Sequence, residues 1–274
     1  MIPRAHITAW RGKAPWSTDA QVEQDLVLSR ALVEISSDPL LGSQLAFRGG
    51  TALHKLYLLP ATRYSEDIDL VQTQAGPIGP VMTALHARLD SWLGEPRRKQ
   101  AQGGVSFMYR FDSEIPPVTP LRLKVEINTR EHFSVCGFVR QRFDVDNPWF
   151  TAGAELLTYS LEELLGTKLR ALYQRKDGRD LYDLATALTK AAGLDVDKTI
   201  QCFRQYTTRA GARISRAEFE ANLLGKLADP VFLTDVGPLL AAETEERFDA
   251  ARAGEAVLEH FIARLPGEPW KGPR

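Results

Sequence analysis

Phe47-Arg48-Gly49-Gly50-Thr51-Ala52-Leu53-His54-Lys55 is followed shortly by Ser65-Glu66-Asp67-Ile68-Asp69-Leu70. The first run reads as the end of a strand, a glycine turn and the mouth of a helix that Thr51 can cap. Glycines there let a backbone approach a phosphate closely, and the helix start offers free N–H groups. The second run reads as a short strand. Its period-2 geometry puts Asp67 and Asp69 on one face, with Ile68 and Leu70 turned into a core. Two neighbouring carboxylates repel, and a divalent cation with oxygen ligands relieves that repulsion. An exposed strand end with two solvated acids has the same local pattern. A phosphate-binding turn directly before a DxD strand favours a site that moves a nucleotide.

A third carboxylate lies further on. In Leu121-Arg122-Leu123-Lys124-Val125-Glu126-Ile127 the odd positions are apolar and the even ones charged, the alternation of a half-buried strand. Glu126 can join the acids from a neighbouring strand; the polar face of an ordinary sheet reads the same way.

Around these segments, Ser17 to Asp19 opens a helix with Val22, Leu26, Ser29 and Val33 on one line, ended by Asp38-Pro39. Val81, Leu85, Leu89 and Leu93 are spaced as a second helix. Val105 to Phe111, Leu121 to Asn128 and Val139 to Val145 have strand character. Past about Thr158 the pattern becomes helical. Leu161 to Arg175 follows a capping-box pattern at Ser160 and Glu163. Arg179 to Ala192 is the next helix, and three or four more end in a long one from about Glu243 to Leu265. The expected fold is α+β, with a mixed-sheet domain over 1–157 and a helical domain over 158–274.

The 274 residues can bury a substantial core. A formal charge of −1 gives no bulk attraction to nucleic acid, so a polyanion must be met by a local patch. Arg97-Arg98-Lys99 is one such cluster, read first as a surface turn that could also touch an RNA backbone. Phe107, Tyr109 and Trp149 could stack on a base but suit a core equally. Cys136 and Cys202 stand far apart without metal-ligand spacing, which suits a reducing cytoplasm. No stretch approaches the roughly 18 apolar residues of a spanning helix, so no membrane partner is expected.

The run Gly49 to Leu53, the run Arg63 to Leu70, Leu123 to Ile127, and Thr167-Lys168-Leu169-Arg170-Ala171-Leu172 leading to Arg179-Asp180-Leu181-Tyr182-Asp183-Leu184 resemble the AbiEii/AbiGii-type (MenT-like) toxins of the nucleotidyltransferase superfamily. The ordered set is specific, although each block alone is not, and it covers about Phe47 to Leu184. The chain departs from the broader superfamily pattern in two ways: it has Gly-Gly-Thr where many relatives have Gly-Ser, so that Thr51 would stand for the serine hydroxyl, and a long gap separates that turn from Asp67.

The resemblance implies a polymerase-β-like core with a helical partner lobe. It implies a type IV toxin–antitoxin or phage-defence role, with a toxin that transfers NMP from an NTP to an RNA acceptor, above all the tRNA 3′ end, under the restraint of a cognate antitoxin. It assigns metal, Mg2+ or Mn2+, to Asp67, Asp69 and Glu126, and the triphosphate to Gly49, Gly50, Thr51 and Lys168 with Arg63 and Ser65 in the same pocket. Asp180 would orient Lys168 or help deprotonate the attacking hydroxyl. Asp180 also suits simple stabilisation of its helix start, and Asp183 could pair with Arg175 or Arg179. The rival readings are a phosphotransferase acting on a protein and an inactive module that binds RNA or a partner. A metal-dependent nuclease fits less well, because Lys124 precedes Glu126 rather than following it.

Overall fold

The computed structural model describes residues 2–241, 244 and 248–272. The chain divides into two compact units between Tyr159 and Ser160.

The first unit is built on a seven-stranded mixed sheet. Helix α1 (Arg4–Trp10) precedes α2 (Asp19–Ser37) and the short α3 (Leu41–Gln44). Strand β1 (Leu45–Arg48) runs into one helical turn, α4 (Gly49–Ala52), which continues as a π-turn over Leu53–Tyr57. Then come β2 (Asp67–Gln72), α5 (Gly79–Leu93), β3 (Arg97–Ala101), β4 (Gly104–Asp112), β5 (Pro120–Asn128), β6 (Phe138–Asn147) and β7 (Phe150–Tyr159). The strand order is β3-β4-β5-β2-β1-β7-β6. β2 lies antiparallel to β1 and parallel to β5, so the strand with the acids is central.

Thr18 caps α2 in a reciprocal pair with Gln21, and the Val22, Leu26, Ser29, Val33 line is buried. One face of the sheet carries Ile68, Leu70, Val105, Phe107, Leu123, Val125 and Ile127 into the core. Tyr109 reaches from this face to α5, donating to Asp90 at 3.1 Å. Phe107 and Tyr109 are therefore core residues, and Trp149 packs edge-on against Trp92 beneath the Arg30 guanidinium.

Three expectations about elements change. Arg97-Arg98-Lys99 is an edge strand rather than a turn, paired with β4 through the two-residue turn Gln102-Gly103. Strand β7 and helix α1 add to the expected elements; β7 lies beside β1, where the Thr158 hydroxyl donates to the Phe47 carbonyl at 2.7 Å. Thr51 does not cap a helix, because α4 already starts at Gly49 and the Thr51 hydroxyl is used elsewhere.

The second unit is helical among its described residues: α6 (Leu161–Gln174), α7 (Gly178–Lys190), α8 (Val196–Arg209), α9 (Arg216–Leu227), α10 (Pro230–Thr234) and α11 (Ala250–His260). Ser160 accepts from the Glu163 N–H as expected, but the Glu163 carboxylate accepts from the Tyr206 hydroxyl at 2.8 Å instead of closing a capping box. The long last helix expected from about 243 falls partly outside the described residues; its described part is α11 and a 3-10 turn over Ile262–Arg264. No helix among the described residues is long and apolar enough to cross a membrane.

The N-terminal segment is fastened through one buried acid. Asp25 is 1% exposed and accepts from the indoles of Trp10 at 2.8 Å and Trp16 at 3.1 Å. It also accepts from Lys55 at 2.6 Å, on the π-turn that follows the glycines. Removing one member of a buried charged network strands the rest. Asp25→Ala is expected to lower unfolding free energy by about 3–5 kcal/mol in urea titration. A loss below about 1 kcal/mol would mean that the indoles and ammonium find other partners.

Candidate active site

β2 positions the acids by alternation, and the sheet brings the rest of the site to them. Its pairing with β5 sets Asp67 opposite Lys124 and Asp69 opposite Glu126. Its pairing with β1 sets Asp69 opposite Arg48. Side chains directly opposite in register share a face. Asp67, Asp69, Lys124 and Glu126 therefore stand together on the face away from the core. Register sets Glu126, the third acid, opposite Asp69.

The glycine turn closes on this group. Gly49 has φ +82°, the left-handed region that side chains avoid. A Cβ built there would collide with Oδ2 of Asp69. The backbone at Gly49 thus touches the carboxylate, and only glycine allows both the turn and the contact. Thr51 ties the two segments together. Its hydroxyl donates to the Asp67 carbonyl at 2.6 Å and lies 2.7 Å from Ser65 Oγ. Its one proton is committed, so Ser65 is the donor in that second bond. Arg63 is 2% exposed, and its guanidinium donates to the Tyr64 carbonyl at 3.1 Å.

Burial and mutual repulsion set the electrostatics of the acids. Partial burial, and then the charge of Asp69, push the Asp67 carboxyl up to about 6. Lys124 and Arg122 oppose that shift without cancelling it. Burial works against the charged form of Lys124, but its ion pair with Glu126 and the nearby Asp67 and Asp69 hold its pKa above the usual lysine value. Arg48 is held above its ordinary value despite burial, by Glu131 at 2.6 Å and then Tyr159 and Asp69. The paired carboxylates of Asp67 and Asp69 are hard oxygen donors of the kind a divalent cation takes, and these two residues fit a metal. Glu126 faces Asp69 in register, but its carboxylate is paired with Lys124, and the three acids do not bring their oxygens within 4.8 Å of one another. Lys124 and Arg48 are site residues that the sequence alone leaves unassigned. The Lys124 side of β5 is legible as charged, but its pairing with β2 is not.

In the second unit Lys168 is 6% exposed and lies between two fully buried acids, Asp180 Oδ1 at 2.9 Å and Asp183 Oδ2 at 2.7 Å. Arg175 adds a forked contact to Asp180 at 2.6 and 2.8 Å. Burial alone would raise the Asp180 carboxyl, but Lys168 and Arg175 hold it below the usual carboxylate range. The contact between Asp180 and Lys168 is thus present, within a buried ion cluster.

A carboxyl whose folded pKa is raised stabilises the fold below its unfolded pKa of 3.8 and loses that contribution as pH rises through about 6. At pH 7 the metal-free protein carries Asp67 as a destabilising charge. Asp67→Asn is expected to stabilise the metal-free chain at pH 7 by about 2 kcal/mol, and the difference should vanish near pH 4. Magnesium should raise the wild-type melting temperature and leave the variant unmoved. Thermal melts at the two pH values check this; an Asn variant less stable at pH 7 would contradict it.

Residues 30–254 match the family described as nucleotidyl transferase AbiEii toxin, type IV TA system. The nucleotidyltransferase toxin MenT4 from Mycobacterium tuberculosis is 14% identical with a TM-score of 0.58, the alignment covering 97% of this chain and 91% of that one. JHP933 from Helicobacter pylori is 16% identical with a TM-score of 0.50, over 89% of this chain and 94% of that one. At such identities these two likenesses speak for the fold. No curated protein matches the sequence significantly. A family match across most of the chain, with paired acids held against a glycine turn, settles the class: the chain belongs to the AbiEii family of nucleotidyltransferase toxins of type IV toxin–antitoxin systems.

Proposed function

We propose that the chain transfers NMP from an NTP to an RNA, at the 3′ end of tRNA, and so blocks translation in the cytoplasm until its antitoxin restrains it. The observation that carries this reading is the contact of Gly49 with Asp69, which sets a phosphate-binding turn directly against the acids. Asp67, Asp69 and Glu126 would hold magnesium, or manganese in its place. When bound, the metal stabilises charge on the α-phosphate and the leaving pyrophosphate and lowers the pKa of the incoming hydroxyl.

The chain's own residues do the rest. Backbone N–H groups at Gly49 and Gly50 face the triphosphate, free of helical partners at the start of their turn. Thr51 and Ser65 act as positioning residues: their bonded hydroxyls fix the Asp67 backbone and hence the carboxylate. Lys124 supplies a cation within the same sheet face. The acceptor 3′ oxygen forms its bond to the α-phosphorus as the bond to pyrophosphate breaks. The hydroxyl proton leaves to solvent water at the open face beside Glu126. Arg63 enters as the family resemblance implies, for the triphosphate, and Asp180 as orienter of Lys168 within the second unit.

Incubation with each α-labelled NTP, magnesium and total RNA tests the reading. Label should appear on a tRNA-sized band and fall at least about 100-fold with Asp69→Ala. Transfer of γ-label to protein would make the chain a phosphotransferase instead. Absence of any product, with toxicity surviving Asp67→Ala, would leave a binding module.

A further inference from the structure

The face that carries the acids continues beyond them across three strands. Register sets Lys124 opposite Met108 and Met108 opposite Arg97. It likewise sets Glu126 opposite Ser106 and Ser106 opposite Lys99. Arg110, two residues past Met108 on β4, shares the face. These side chains line an open groove of about 760 Å³ that reaches to the β3–β4 turn.

The cations of this groove lack ion-pair partners, whereas Arg11, Arg122 and Arg142 in the same unit are paired with Asp19, Glu66 and Asp144. Among the described residues, Arg97, Lys99 and Arg110 form no ion pair, and the groove's one acid, Glu126, is taken by Lys124. Gathered on one sheet face without counter-charge, the three cations leave a positive field there. In a chain of net charge −1 it is a local trough for an anion.

The sheet order says which anion. The acids on β2 lie between β1, which leads into the glycine turn, and β5, where the groove begins. The triphosphate has its place on the β1 side. The groove lies on the opposite side, where the acceptor must approach. Strands spaced about 4.8 Å apart set Lys124 on β5 and Arg97 on β3 about 10 Å apart. At roughly 3.4 Å per nucleotide of a stacked strand, that spans about three phosphates. Met108 adds an apolar patch on which bases can rest.

We infer that this groove is the track for the backbone phosphates of the acceptor's single-stranded 3′ end, gripped by Arg97, Lys99 and Arg110. The inference rests on the proposed transfer to RNA, but its test needs no transfer. The full chain is titrated against a fluorescent single-stranded RNA oligonucleotide, without nucleotide, over a range of salt. The combined variant Arg97→Gln, Lys99→Gln, Arg110→Gln should bind about 10-fold more weakly or worse. Its plot of log affinity against log salt should be shallower by about 2, because three phosphates go unneutralised and each accounts for about 0.7 of the slope. NTP binding should be unchanged, which shows that the variant is folded. Equal RNA affinity and slope in both proteins would overturn the inference. So would an acidic peptide that displaces the RNA and depends on the same three side chains more strongly, since the groove would then belong to a protein partner. RNA binding that depends on these residues while no NMP is transferred would sustain the groove and overturn the catalytic reading alone.

Discussion

The contact of Gly49 with the Asp69 carboxylate is the constraint on which the site depends. It makes one place out of two local features, the glycine turn and the strand that carries the acids. The turn is held from both sides. Thr51 bonds the Asp67 backbone ahead of the acids, and Lys55 ties the following π-turn to buried Asp25. Asp25 in turn gathers Trp10 and Trp16, so the N-terminal segment becomes part of the scaffold behind the chemistry. A side chain at position 49 would break this arrangement at its centre.

The same closeness explains the electrostatics. Asp67 and Asp69 share a face and are partly withdrawn from water, and the cost appears as the raised proton affinity of Asp67. Lys124 offsets part of that cost but is itself engaged by Glu126. A fold that carries such a charge imbalance at a central strand gives up stability there, a pattern found at functional sites. The second unit shows the opposite arrangement. There Lys168 and Arg175 neutralise the buried Asp180, so its carboxyl lies below the ordinary value rather than above it.

What the sequence discloses is local. Alternation along Asp67 to Leu70 and Leu121 to Ile127 reveals the facing of both strands, and Gly49-Gly50 reveals the turn, because these depend on chain geometry alone. The parallel pairing of β2 with β5 is a tertiary fact, so the partnership of Lys124 with Asp67 is hidden although its charged side is visible. Arg97-Arg98-Lys99 reads as a turn because its composition suits a solvated one. It becomes a strand through hydrogen bonds to β4 across the Gln102-Gly103 turn, and Gly103, at φ +98°, is the signal that could reveal the hairpin. Strand β7 includes Ala and Gly residues of poor strand propensity and is held by its two neighbours. Thr51 looks like a cap because threonine often is one; its hydroxyl instead serves the next strand.

The central claim is that the acids of β2 bind divalent metal beside a triphosphate at the glycine turn. A crystal structure with manganese and a non-hydrolysable NTP, read by anomalous scattering, tests it most directly. The account predicts manganese peaks in contact with both Asp67 and Asp69, with phosphate oxygens against the backbone of Gly49 and Gly50. Manganese bound away from that pair, or a nucleotide seated elsewhere on the chain, would contradict it.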